Sequence, residues 1–474
     1  MRHGNLSRVK YLVSKEKHIQ SDDIQTYACN VDHFGDEVNA RRETQVGAFA
    51  VAGIHSGMND VEQMSLSHRS LSRLESNKDL AAIQITSARL VADDVVNAVL
   101  IGVTRCKVIS IVSFIVLTGI IILIVILTRR SSKDPDTELA ATALLEKLEP
   151  LLTNASRNEL KLPDSVPSLA FSWLEKSNFR DFSFTRQVQR FAMAAFFFST
   201  NGRLWKQNNG WLTESDECTW YQSSNESVCV NGTLRMLSLN DNNLFGLLPN
   251  DVALFSSLEI LDLASNGIAG SIPMGIKNVS SLVVLNLGSN KLVGMIPTEI
   301  GFLRKLKQLR IAANAISGEI PSAIGHCTEL TAISLGIGKL SGTIPIEIGA
   351  LTKLQAIFID NNPLTGTIPS EIGKLTNLTA LGIFGMSLDG SIPSEIGRLT
   401  KLEYLGFHRS GLDGTIPSEI GALTKLALLF LFDNELVGSI PSEISALTTL
   451  SYLHLSSNSL TGSIPSEISA LTKL

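Results

Sequence analysis

Nine residues in the last five of ten repeated segments have side chains suited to gripping a ligand: Phe358, Phe384, Tyr404, His408, Arg409, Phe430, Phe432, Tyr452 and His454. Read as contiguous, exposed aromatics beside an arginine, they offer large contact area and directed donors, the usual anchors of a binding surface. The matching positions of earlier segments are small or polar: Ser238, Asp262, Asn286, Arg310 and Ser334. The competing reading is that the aromatics only stabilise the sheet by packing across strands. Catalysis has weaker support. The eight histidines are scattered, and no Ser/His/Asp set, metal-spaced Cys/His group or phosphate loop is present, so the expectation is a non-enzyme without cofactor or metal. A glutamate recurs at 299, 347, 371, 395, 419, 443 and 467, which could suggest a calcium ladder; a solvated face loosely paired with Lys353, Lys401 and Lys425 is the simpler reading.

These side chains need a frame that returns them to one face. A leading leucine recurs at 234, 258, 282, 306, 330, 354, 378, 402, 426 and 450, every step being 24 residues. A period of this size signals a solenoid, whose units bury their apolar faces only against neighbours. Each Leu-x-x-Leu-x-Leu predicts one short strand, and strands about 4.8 Å apart would form a parallel concave sheet. Tyr404 and Tyr452 then share one column, and Phe384, His408 and Phe432 another. Asn242, Asn266, Asn290, Asn314, Asn362, Asn434 and Asn458 follow the strands, where an amide can bond adjacent coils. Gly338, Met386 and Ser410 break that ladder and predict weaker coils five, seven and eight. Glycines from 246 to 462 permit the bend, and prolines from 249 to 465 fix the segment after it. Cys327 stands in a leucine slot and reads as a small buried hydrophobe.

A net charge of −5 and a pI near 6.0 give no electrostatic case for nucleic acid. A charged fraction of 18% and a positive mean hydropathy point to a membrane span, many buried repeats, or both. The five cysteines are too few for a disulfide scaffold, but Cys218 and Cys229, just before the repeats, could staple a cap.

Residues 1–107 have no leading apolar segment and no sustained period, and read as a disordered cytoplasmic tail without kinase motifs. Residues 108–128 read as a transmembrane helix. Twenty residues from Val108 to Leu127 carry no charge, and sixteen are Val, Ile, Leu or Phe; such a run covers about 30 Å. Flanking positive charges, Arg105 and Lys107 before the span against Arg129, Arg130 and Lys133 after it, are nearly balanced and lean slightly toward a cytosolic C-terminal side, but other features oppose that lean. The sequons at Asn154, Asn225, Asn231, Asn278 and Asn377 all follow the span, against one at Asn5 before it, and the cysteine pair needs an oxidising compartment. Together they favour a signal anchor with the N-terminus inside, and Cys106 at the inner edge becomes a palmitoylation candidate. Residues 129–180 read as a juxtamembrane stalk with a helix over Thr137–Leu152, ended by Pro163 and Pro167. A second helix is expected over Asp181–Ser199, with residues 186 to 190 exposed and Phe191, Ala195 and Phe198 inward.

A solenoid end exposes an open core, so residues 181–233 are expected to cap it, through Ser199-Thr-Asn-Gly-Arg-Leu-Trp205, Gly210-Trp211-Leu212, Cys218-Thr-Trp220-Tyr221 and Cys229. This block, followed by Gly-x-Ile-Pro repeats, resembles the cap and array of plant-type leucine-rich-repeat receptor-like proteins, in wording most similar to diatom versions. The resemblance covers about residues 180 to 474. With it the fold reads as an α/β leucine-rich-repeat solenoid over 234–474, with a parallel concave sheet of ten repeats and an N-terminal cap; the transmembrane helix and disordered tail fit the same architecture but carry no motif of the family. The resemblance also implies a single-pass receptor-like protein without a kinase, binding an extracellular peptide, glycan or protein ligand on the concave face beside a co-receptor or kinase partner. The alternative is a structural or adhesion module with no discrete ligand. The chain stops at Leu474, the first leucine of an eleventh unit, so further sequence is expected beyond it.

Overall fold

The computed structural model describes residues 135–177, 179–221 and 228–474. The expected tail, the span at 108–128, Cys106 and Asn225 lie outside them. Among the described residues no helix is long and apolar enough to cross a membrane.

The 24-residue period becomes the sheet register directly. Ten strands pair in parallel in chain order: β1 (Met236–Ser238), β2 (Ile260–Asp262), β3 (Val284–Asn286), β4 (Gln308–Arg310), β5 (Ala332–Ser334), β6 (Ala356–Phe358), β7 (Ala380–Gly382), β8 (Tyr404–Gly406), β9 (Leu428–Phe430) and β10 (Tyr452–His454). Each residue faces its equivalent one coil on, as Ile357 faces Leu381. The middle residue of each strand points into the coil. In the sixth coil it joins Leu354, Ile359, Leu364, Ile368, Ile372 and Leu375 in one continuous core. The opposite side of each coil is a 3-10 turn, such as Ser370–Lys374, entered from a proline with φ near −67°. The ten bend glycines all have positive φ, Gly366 at +76°, which a side chain would resist.

The asparagine ladder works as expected. Asn290 donates from Nδ2 to the Leu263 carbonyl of the preceding coil at 2.9 Å, and its Oδ1 accepts from the Ile268 amide at 3.0 Å. Ser410 departs from the expected break. Its hydroxyl donates to the Ile383 carbonyl at 3.2 Å, 27 residues back, the same offset that Asn434 uses to reach Phe407. Coil eight therefore keeps half of its rung.

One row escaped the sequence reading. The residue before each rung is left-handed in every coil, from Asp241 at +48° through Ile337 at +54° and Gly385 at +70° to Ser457 at +54°. Asp, Asn, Ser and Gly tolerate this region; a β-branched isoleucine does not. Ile337→Asn is expected to raise stability by about 1 kcal/mol, read as a shift in denaturant midpoint at constant slope.

The cap begins earlier than the expected boundary at 181. Helices α1 (Pro135–Leu148), α2 (Asn154–Glu159) and α3 (Val166–Lys176) precede α4 (Phe184–Ser199). Leu144, Leu148, Ala170 and Leu174 share a buried cluster with Phe191, Ala194 and Ala195 of α4, so the segment read as a stalk is packed structure from Ala140 on. Pro167 lies in the first turn of α3, where its missing N–H costs nothing, rather than ending a helix.

The exposed stripe expected at residues 186 to 190 is also corrected. Arg190 is fully buried. Its Nη1 meets Glu217 Oε2 at 2.9 Å, and Arg186 grips the same carboxylate through Nε and Nη2, both at 2.9 Å. Gln189 donates to Glu217 at 2.9 Å and accepts from the Leu234 amide at 2.7 Å, tying the cap to the first coil. Trp173, Trp205, Trp211 and Trp220 pack edge to face or tilted with centroids 4.8–5.6 Å apart, and the Cys218–Cys229 disulfide closes the loop beside them. Cys327 is buried as expected, its Sγ donating to the Ile300 carbonyl.

Candidate ligand-binding face

The strands' outward residues form the concave surface. Eight of the nine singled-out side chains are brought together there as one aromatic field across β6 to β10 and the residues just beyond each strand. In the column after the strands, His408 stacks between Phe384 and Phe432, with centroids at 4.2 Å and 4.6 Å and ring planes within 19°. Phe432 in turn stacks on His454 at 4.1 Å. A second line runs from Phe358 to Tyr404 at 5.9 Å, to Phe430 at 5.8 Å and to Tyr452 at 5.0 Å. Two glycines in the strand columns make room. A Cβ on Gly382 would strike the Phe358 ring, and one on Gly406 would strike the Tyr404 phenol.

This geometry corrects the expectation of exposed aromatics. Phe358, Phe384, Tyr404, His408, Phe430 and Phe432 are buried, because neighbouring rings, stacked in one line and tilted in the other, cover one another; Tyr452 and His454 are half-buried. Arg409 stands on the rim, exposed and left-handed at φ +54°. It lies over Phe432 at 5.7 Å and donates from Nε to Asp433 Oδ2 at 3.2 Å.

The electrostatics follow from burial. His408 Nδ1 has no hydrogen-bond partner among the described residues, and desolvation, aided by Arg409, pushes the imidazole down to about 4, so the ring is neutral at ordinary pH. Desolvation likewise lowers His454. Asp433 is held below the usual carboxylate range by a hydrogen bond from Ser457 and by Arg409. One coil before Phe384, Asp360 is buried and raised, its Oδ2 accepting from Asn361 Nδ2 at 2.9 Å. An open depression beside the field is lined by Asn361, Pro363, Gly385, Met386 and Ser387, where Met386 replaces a rung asparagine. No group of three acidic, His or Cys side chains that could hold a metal occurs among the described residues.

The remaining candidates are dispersed. Asn154, Asn231 and Asn278 are exposed at three separate places, while Asn377 is half-buried and engaged, donating to the Thr352 carbonyl at 2.8 Å and accepting from Lys401 at 2.6 Å.

Four coils, at residues 257–279, 281–303, 353–375 and 449–471, match the family model described as Leucine Rich Repeat. No curated protein matches the chain. Among solved structures, the plant peptide hormone receptor RGFR1 in complex with RGF2 gives a TM-score of 0.50 at 36% identity, covering 51% of this chain and 39% of that one. The Arabidopsis receptor kinase HAESA ectodomain, in complex with an N-terminally extended IDA peptide hormone, gives 0.52 at 31% identity, covering 61% and 48%. A plant ice-binding protein gives 0.51 at 25% identity, covering 60% of this chain and 88% of that one. The chain spans less than half the length of either receptor. The solenoid is thus built of leucine-rich repeats and is similar in structure to plant receptor ectodomains.

Proposed function

We propose that this chain is a single-pass, membrane-anchored, receptor-like protein whose repeat domain, extracellular or lumenal, captures a peptide, glycan or protein ligand on the concave face of coils six to ten. A kinase or co-receptor partner would carry the signal onward. The observation that carries the reading is the aromatic field itself. Strands β1 to β5 pair equally well with Ser238, Asp262, Asn286, Arg310 and Ser334 in place of large rings, so the frame does not need the rings to close. The solved receptors of similar structure hold peptides, and the Cys218–Cys229 disulfide suits an oxidising compartment. Because the stack covers its own ring faces, contact falls to ring edges and to the accessible rim of Arg409, Tyr452 and His454.

Full-length protein displayed on cells is expected to retain members of an extended-peptide library. Arg409→Glu combined with Tyr452→Ser should lower retention at least about tenfold with folding intact, the scale of a hot-spot loss. Unchanged retention would remove the concave face from the account.

A second reading, a structural module acting through its repeated surface, is favoured by two observations. The rings pack mainly on one another, and Thr343, Thr367, Ser391, Thr415, Ser439 and Ser463 form an exposed hydroxyl row along one flank. The likeness to a plant ice-binding protein fits that reading. Inhibition of ice recrystallisation by the same preparation, with no peptide retained, would select it.

A further inference from the structure

We propose that Asn278 carries an N-linked glycan and that Phe302 is the surface on which its innermost sugar packs; this rests on the lumenal placement proposed above. Asn278-Val279-Ser280 closes the 3-10 turn Met274–Asn278 on the convex side, with Asn278 and Ser280 exposed and Val279 buried. The Asn278 amide makes no hydrogen bond among the described residues, so a sugar on its Nδ2 displaces nothing. Asn377 differs, since modification there would break a bond to Thr352.

Phe302 points to the glycan independently. It holds the same place one coil on, at the end of the turn Thr298–Phe302, which packs directly beside Met274–Asn278. It is 61% exposed and has no ring partner among the described residues, while the next two positions of this row are His326 and Ala350. A lone phenyl face in water gains by meeting the polarised C–H face of a sugar ring, which its negative quadrupole attracts. In the attachment, the Asn278 nitrogen bonds to C1 of a lipid-diphosphate-linked oligosaccharide. The C1–O bond breaks, the diphosphate leaves with the electron pair, and the amide proton passes to a base of the transferase.

The test is glycopeptide mass spectrometry on the full chain from a eukaryotic secretory host, with a thermal double-mutant cycle of Asn278→Gln and Phe302→Ser. Asn278 should be occupied, and Asn278→Gln should lower Tm by about 2 °C in the parent and not in the Phe302→Ser background. An empty Asn278 beside other occupied sequons overturns the glycan while leaving the placement standing. No occupied sequon at all overturns both. An equal Tm loss in both backgrounds overturns the role of Phe302.

Discussion

Glu217→Ala is expected to destabilise the chain by about 3–5 kcal/mol, the cost of stranding a buried charge. Arg190 would lose its carboxylate while fully buried, retaining only the Ser215 and Thr213 carbonyls and the ring faces of Phe182, Trp173 and Trp220 at 4.9–5.2 Å. Arg186 suffers less, being partly exposed and still paired with Asp216 at 2.8 Å. Replacing both buried partners, as Arg190→Met with Glu217→Leu, should recover most of the loss, because the desolvation cost leaves with the charges. Tryptophan fluorescence during denaturant unfolding reports it, since Trp173 and Trp220 flank the pair. A double variant as unstable as Glu217→Ala would mean that packing, not stranded charge, sets the cost.

The second large effect is a loss of stability on acidification through His408. Its folded value, near 4, lies below the ordinary imidazole value of 6.5. As pH falls from 6.5, the unfolded chain takes up a proton that the folded chain refuses until about 4, so stability drops across that window and levels below it. The difference corresponds to about 3 kcal/mol. Asp251 works in the opposite direction: desolvation raises it to about 6, so its ionisation penalty disappears on acidification. The whole-chain profile therefore mixes both signs, and His408→Phe isolates one. That variant should extend the stack, remove the unpartnered Nδ1, raise stability at neutral pH and flatten the loss between pH 6.5 and 4. An unchanged slope would mean that His408 is solvated in solution.

Much of this was legible because it repeats. A backbone or packing requirement met ten times leaves ten copies of its residue: glycine at positive φ, proline before the 3-10 turn, leucine at the head of each coil. The cap cysteines were legible for their isolation and closeness in the chain. What escaped depends on residues far apart. Helical periodicity placed Arg190 outward, and only Glu217, 27 residues later, makes burial affordable. The aromatics read as exposed because alternation gives the face and not the packing; the missing signal was Gly382 and Gly406, whose absent side chains let Phe358 and Tyr404 lie down. The left-handed row was visible as recurring Asp, Ser, Asn and Gly before the rung, obscured by Ala313, Ile337 and Arg409.

The most direct test of ligand capture on the concave face is photo-crosslinking on intact cells. Benzoylphenylalanine replaces Tyr452 at the accessible edge of the field or, as control, Met295, which is exposed on the flank of the third coil. The extended-peptide library is added before irradiation. Capture on the concave face requires peptide adducts from position 452, few from 295, and loss of adducts when Arg409→Glu is added. Equal labelling at both positions, or none at 452 while peptide is retained, would contradict it.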